Sequence, residues 1–187
     1  MRVISGNLKG KVLNFTKSKF TRPLKDSVKE NIFNIITHSK LIKVKIEKSY
    51  ILDLYSGVGS FGIECVSRGA KKIYFIDKDF KAHQKLSENL KNLGIQKQTI
   101  AINDKIENYL KSINSEKFEI IFCDPPFKDK DYLNQLKNIR DRKIYKQEHL
   151  IIIHREKKSV DNFDKIIKPI IIKSYGRSKI IFGSFLI

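Results

Sequence analysis

Asp124, Pro125, Pro126 and Phe127 stand directly after an apolar run from Ile120 to Cys123. The run has the length of a buried strand, and two prolines in succession must end it, since each removes a backbone donor and holds the chain extended. The Asp124 carboxylate and the carbonyls beside it then project from a strand end that accepts hydrogen bonds and offers few. A planar group carrying an NH2 would match that edge, with its amino hydrogens on Asp124 and the Pro125 carbonyl and its face on Phe127. Such an arrangement suits chemistry at the exocyclic amine of a nucleobase. Hydrogen bonds to both amine protons draw the delocalised lone pair back towards nitrogen, so Asp124 is the activating residue and the late proton acceptor. A Pro-Pro loop with Phe127 as core filler is the plain alternative.

A second constellation precedes it. Gly57, Gly59 and Gly62 follow an apolar strand pattern at Tyr50 to Leu54, and Asp77 lies twenty residues after Gly57. This spacing also fits a dinucleotide fingerprint, in which a pyrophosphate sits on a helix N-terminus. Asp53 argues against that reading, because a carboxylate at the strand end repels a diphosphate and pairs with an ammonium group. S-adenosylmethionine carries an amino-acid moiety and a sulfonium but no phosphate. In this reading Asp53 and the backbone from Tyr55 to Gly59 hold the methionine part, Asp77 accepts the ribose hydroxyls, and Asp104 receives the adenine amino group. Each of these acids, taken alone, could instead be a helix cap.

The surrounding pattern positions these residues. Tyr50 to Leu54, Lys72 to Ile76, Gln98 to Ile102 and Phe118 to Cys123 read as strands, and amphipathic helical segments lie between them. Strands alternating with helices at this spacing imply a parallel sheet covered on both faces. Tyr132 to Ile144 reads as a helix and His149 to His154 as a fifth strand. Ile166 to Lys173 is a strand that Pro169 assigns to a sheet edge, and Lys179 to Ile187 returns antiparallel after a Gly176-Arg177 turn. Upstream, Val3-Ile4 and Val12-Leu13 flank glycines at 6 and 10 as a small hairpin. Phe15 to Lys25 is an aperiodic basic loop, and Ser27 to Thr37 is a helix opened by a Ser27-Glu30 capping box. Lys40 to Lys48 is either a basic connection or a frayed helix end.

The 187 residues suffice for one domain, with a basic extension at 1–48 and a core at 49–187. Cys65 and Cys123 indicate neither a disulfide framework nor a zinc site, and His38, His83, His149 and His154, lacking ligand spacing, read as surface or core residues. No metal is expected. No apolar run approaches a membrane span, and a cytoplasmic setting is expected. The net charge of +18 is uneven: residues 1–50 carry +9, residues 51–154 carry +4 and residues 155–187 carry +5. Lys17, Lys19, Arg22, Lys25 and Lys29 are the candidates for contacts to a phosphate backbone.

The Asp-Pro-Pro-Phe tetrapeptide resembles the signature of S-adenosylmethionine-dependent amino methyltransferases. Over nearly its whole length the chain resembles the RsmD family of bacterial 16S rRNA guanine-N2 methyltransferases. The matching pieces are RVISGNLKGKVL, TRPLKDSVKENIFNII, DLYSGVGSFGIECVSRGA, FCDPPF and YGRSKIIF, in the family's order. Ser27 and Lys29 replace an Arg-rich helix start, and Leu24 replaces a usual Thr. The resemblance implies a Rossmann-like α/β methyltransferase fold of class I, with a mostly parallel seven-stranded sheet, an antiparallel last strand and a small N-terminal hairpin and helix. It further implies S-adenosylmethionine as donor, S-adenosylhomocysteine as product and a guanine of the 966 type in 16S rRNA as acceptor. The expected partner is 16S rRNA or the small ribosomal subunit, the expected state a monomer without membrane contact. Amino methylation of DNA adenine or protein glutamine, or a non-catalytic RNA-binding protein on the same fold, are the alternatives.

Overall fold

Apolar strand runs without alternation call for helices on both faces, and the computed structural model has them. It describes residues 1–15 and 24–186. Helix α1 (Asp26–His38) is followed by β1 (Tyr50–Leu54), α2 (Ser60–Ser67), β2 (Lys72–Asp77), α3 (Phe80–Asn92), β3 (Thr99–Asn103), α4 (Ile106–Ser112), β4 (Phe118–Cys123), α5 (Tyr132–Asp141), β5 (Tyr145–Glu156), β6 (Ile167–Tyr175) and β7 (Ser178–Phe185). The seven-stranded sheet has the order β3-β2-β1-β4-β5-β7-β6. Pairs among β3, β2, β1, β4 and β5 are parallel, and β7 is antiparallel to both β5 and β6. Among the described residues no helix is long and apolar enough to cross a membrane.

The two-residue period of a strand sorts its side chains between two cores. Ile51, Ile73, Phe75, Ile120, Phe122, Leu150 and Ile152 pack on one face with residues of α1, α2 and α3. Leu52, Leu54, Tyr74, Ile76, Ile121, Cys123, Ile151 and Ile153 pack on the other with α4 and α5. Continuing the same alternation to the strand ends puts Asp53, Asp77, Asp124 and His154 on the first face, and Arg155 on the second. This parity is the first reason the acids meet.

Several expectations hold and others shift. The N-terminal hairpin forms, with an Arg2–Val12 bridge and Val3 N–H donating to the Lys11 carbonyl at 2.9 Å. Pro169 lies on the edge strand β6, beside a register shift between Pro169 and Ile171 that absorbs its missing donor. The capping box is not made: α1 starts at Asp26, Lys25 is the N-cap, and its carbonyl accepts from Lys29 N–H at 2.9 Å. Burial of Leu24 just upstream leads the chain into the helix earlier, leaving Ser27 inside the first turn. Residues 40–48 form a connection rather than helix, anchored by buried Val44 and Ile46. Strand β5 begins four residues before His149, because Tyr145 pairs with Phe118 and a bulge between Phe118 and Ile120 takes up the polar residues that follow.

Candidate active site

The strand order reverses between β1 and β4, and open parallel sheets bind ligands outside the carboxyl ends of the strands at such a switch point. A cavity of about 680 Å³ lies there. The loop after β1 lines it with residues 55–58, Asp53 and Asp77 form part of its wall, and Asp124, Pro125, Pro126, Phe127 and His154 close it on the β4–β5 side.

The loop after β1 needs unusual backbone. Tyr55, Gly57 and Gly59 have φ of 58, 55 and 85°. At Gly59 a Cβ would also stand 2.5 Å from Leu86 Cδ1, and at Gly62 a Cβ would stand 2.3 Å from Phe75 Cε1. Only glycine lets the start of α2 approach the sheet this closely. The reward is a turn whose N–H groups meet the acids: Gly57 N–H donates to Asp77 Oδ2 at 2.7 Å, and Gly62 N–H to Asp53 Oδ2 at 3.0 Å. Asp77 Oδ1 accepts from Asp79 N–H at 2.8 Å. Tyr55 turns away from the loop, and its hydroxyl lies between Asp129 (3.0 Å) and Gln135 (2.8 Å).

The electrostatics ask for a cation. Asp53 is 1% exposed, and burial pushes its carboxyl well above the usual range; the Gly62 N–H offsets part of that, and Asp124 and Asp77 add repulsion. Burial also raises Asp77, against the bonds from Asp79 and Gly57. Ser56 Oγ, in the same loop, is buried without a hydrogen-bond partner. Carboxylates held above their ordinary range beside an unsatisfied hydroxyl fit a ligand that brings positive charge and further hydrogen-bonding groups. The ammonium and sulfonium of S-adenosylmethionine meet that requirement; a pyrophosphate does not.

The loop after β4 is held from beneath by two consecutive residues of β5. Cys123 pairs with Ile153, so the next positions along the two strands are Asp124 and His154, on the same face. His154 Nδ1 and Asp124 Oδ1 lie 2.8 Å apart, with the Asp124 side chain 21% exposed. On the opposite face Arg155 donates from Nη1 to the Pro126 carbonyl and from Nη2 to the Phe127 carbonyl, both at 3.1 Å. Its Nε donates to Asp161 Oδ1 at 2.9 Å, and its guanidinium lies 4.6 Å from the centre of the Tyr132 ring. Asp161 also accepts from Tyr132 Oη at 2.8 Å and Ser159 Oγ at 2.6 Å, and pairs with Lys179 at 3.1 Å. Burial opposes ionisation of Asp161, but these bonds and the nearby charges hold its carboxyl below the usual range. Arg155 thus takes two backbone carbonyls of the loop, while Asp124, Pro125, Pro126 and Phe127 all line the cavity.

The cavity thus brings together Asp124, Pro125, Pro126, Phe127, Asp53, Tyr55, Gly57 and Asp77. Gly59 shapes the turn behind it. Asp104 is not among the lining residues; its Oδ1 accepts from Lys105 N–H at 2.7 Å and Asn108 Nδ2 at 2.8 Å. Lys29 requires a correction. It is fully buried, its Nζ donating to the Arg2 carbonyl at 2.7 Å and to Ser60 Oγ at 3.2 Å, and standing 3.7 Å from buried Glu64. Glu64 in turn accepts from Ile4 N–H, Ser5 N–H and Arg68 Nε. Lys29 therefore fastens the N-terminal hairpin to α2 and is not a surface contact for phosphate. Lys25 is exposed, whereas Lys17, Lys19 and Arg22 lie outside the described residues. Phe15 and Leu24, on either side of that stretch, both line the cavity, and Lys78, Lys81 and Lys85 line it from the α3 side. His154 and Arg155 are the site residues that periodicity and motif reading missed. The signal available was their position at the end of a strand flanking the Asp-Pro-Pro-Phe turn.

Comparison with known proteins gives the same result from another direction. The family described as conserved hypothetical protein 95 matches residues 1–184. The Bacillus subtilis protein YlbH is 35% identical over 84% of this chain and 83% of its own. Ribosomal RNA small subunit methyltransferase D of Buchnera aphidicola is 32% identical over 83% of this chain and 78% of its own. The solved structure of yhhF from Escherichia coli superposes with a TM-score of 0.83 at 24% identity, covering 99% of this chain and 97% of that one. With a family match over nearly its full length, a sheet of methyltransferase order and the Asp-Pro-Pro-Phe turn at its switch point, this chain belongs to the RsmD family of methyltransferases.

Proposed function

We propose that this methyltransferase carries a methyl group from S-adenosylmethionine to the exocyclic N2 of a guanine in 16S rRNA, at a site of the 966 type. The observation that carries the reading is the convergence of Asp124 with Asp53 and Asp77 on one cavity. An acceptor for an amine and acids suited to a cationic donor share a wall. Asp53 and the turn from Tyr55 to Gly59 would hold the methionine part, and Asp77, which keeps further lone pairs beyond those used by Gly57 and Asp79, would take the ribose hydroxyls. When bound, the donor supplies an electrophilic methyl on a sulfonium. Asp124 holds the amine in line for displacement and takes its proton late, while Phe127 carries the face of the base.

The target base must leave its stack to reach Asp124, at a cost of a few kcal/mol that stacking on Phe127 offsets in part. Exposed Lys25 and the lysines that line the cavity from the α3 side, Lys78, Lys81 and Lys85, would receive phosphates flanking it. Lys17, Lys19 and Arg22 stand between Phe15 and Lys25 in the sequence and lie outside the described residues. The reading is tested by mass spectrometry of nuclease-digested small-subunit rRNA from cells with and without the gene. Loss of one N2-methylguanine is expected. Retention of every methylated guanine would remove the rRNA assignment and turn attention to DNA or protein amines.

A further inference from the structure

The two histidines of β5 are both buried, yet they are held in opposite ways. His149 is satisfied at both ring nitrogens: Nδ1 lies 3.0 Å from the Lys146 carbonyl, and Nε2 accepts from Phe185 N–H at 2.9 Å. It is a core histidine. His154, 6% exposed, has its Nδ1 on Asp124 Oδ1 at 2.8 Å, and its Nε2 is buried without a partner. It also lines the cavity, and its ring meets that of Phe127 edge-on, with centres 6.0 Å apart and planes at 78°. A buried imidazole with one unpaired nitrogen is costly to keep for packing alone. The ring's polar contact goes to the carboxylate read as facing the amine, and its aromatic contact goes to the ring read as facing the base.

A carboxylate has no proton to give, so the hydrogen of this contact resides on Nδ1. We infer that His154 is a positioning residue for amine methylation: its Nδ1–H pins one oxygen of Asp124, leaving the other for the incoming amine, and its ring edge sets the plane of Phe127. Without it the carboxylate is free to turn about its own side-chain bonds, and a misplacement of order 1 Å costs about a hundredfold in rate. This role rests on the reading of Asp124 as the residue that holds the amine.

The test uses the full-length protein and the amide side chains as probes. An Asn amide nitrogen falls near the place of Nδ1, whereas that of Gln falls near Nε2. His154→Ala should lower kcat by about 10- to 100-fold, with S-adenosylmethionine affinity by calorimetry and acceptor KM changed by less than about threefold. His154→Asn should recover about tenfold of that loss, and His154→Gln should not. A packing role predicts the reverse order, since Gln fills more of the ring's volume. Equal activity of the Gln and Asn variants, or an Ala variant with wild-type kcat, overturns the inference. If His154→Ala does not fold, the Asn and Gln pair still decides. A readout independent of any acceptor is the long-range ¹H–¹⁵N spectrum of the unliganded protein: His154 should carry its proton on Nδ1, and Asp124→Ala should abolish that preference. An Nε2–H tautomer in the wild type refutes the assignment even if methylation of rRNA is established. The Nδ1–H tautomer in a protein inactive on rRNA would instead leave the contact standing and remove the substrate.

Discussion

Replacing Arg155 by Met should separate stability from chemistry at the loop of Asp124 to Phe127. The guanidinium is nearly buried and makes three hydrogen bonds: to the Pro126 and Phe127 carbonyls at 3.1 Å and to Asp161 at 2.9 Å. Removing one partner of a buried ion pair typically costs about 3–5 kcal/mol. Asp161 keeps Lys179, Tyr132 and Ser159, which places the expected loss near the lower end, about 3 kcal/mol. Met preserves most of the packing volume against Tyr132, so the loss reports the polar contacts. The loop then loses its hold at the Pro126 and Phe127 carbonyls while keeping the Asp124–His154 contact, and the rate of methyl transfer should fall by about a hundredfold at saturating donor. Arg155→Lys provides the discriminating control. A lysine restores charge opposite Asp161 but cannot span two carbonyls with a planar fork, so it should recover stability more fully than rate. Urea unfolding and single-turnover methylation measure the two effects. An Arg155→Met protein within about 0.5 kcal/mol of wild type and equally fast would show that the loop holds its shape without the clamp, and the argument from these three bonds would be wrong.

Asp124→Ala should abolish methylation while leaving donor affinity nearly intact by calorimetry; wild-type turnover would remove Asp124 from the chemistry. Asp77→Ala should weaken donor binding by about tenfold or more, through loss of a two-oxygen acceptor, and unchanged affinity would count against its ribose role. Asp161 is held below its ordinary range, so its contribution to stability is present above the usual carboxylate value and is lost as pH falls through the folded-state value. In acid unfolding, Asp161→Asn should therefore be less stable than wild type at neutral pH and converge with it in strong acid; a constant gap would contradict that linkage. Exchanging Lys78 and Lys81 for Glu should weaken rRNA binding and flatten its salt dependence, and an unchanged salt slope would move the RNA path away from the α3 rim.

The alternation of apolar strands with amphipathic helices dictated a parallel sheet covered on both faces, because no other arrangement buries those runs while pairing their backbones. Glycines at 57, 59 and 62, followed by Asp77, and the Asp-Pro-Pro-Phe turn were legible for a similar reason: local backbone sterics confine such residues to strand ends and tight turns. Pro169 announced its edge strand through its missing donor. Three things were not legible. Lys29 reads as a surface cation at the start of a basic helix, and only the docking of the hairpin on α2 brings Glu64 to meet it. Asp104 stands just past the end of β3, whereas Asp53 and Asp77 lie within their strands, and its carboxylate accepts from Asn108 in its own segment. His154 and Arg155 lie thirty residues or so from the loop they hold, and their partnership depends on β4 and β5 aligning Cys123 with Ile153. A shift of one residue in that register would turn His154 to the other face. Local chemistry is written in neighbouring residues, whereas register is decided by how whole strands and the helices over them pack together, and the support beneath the Asp-Pro-Pro-Phe loop is a consequence of register.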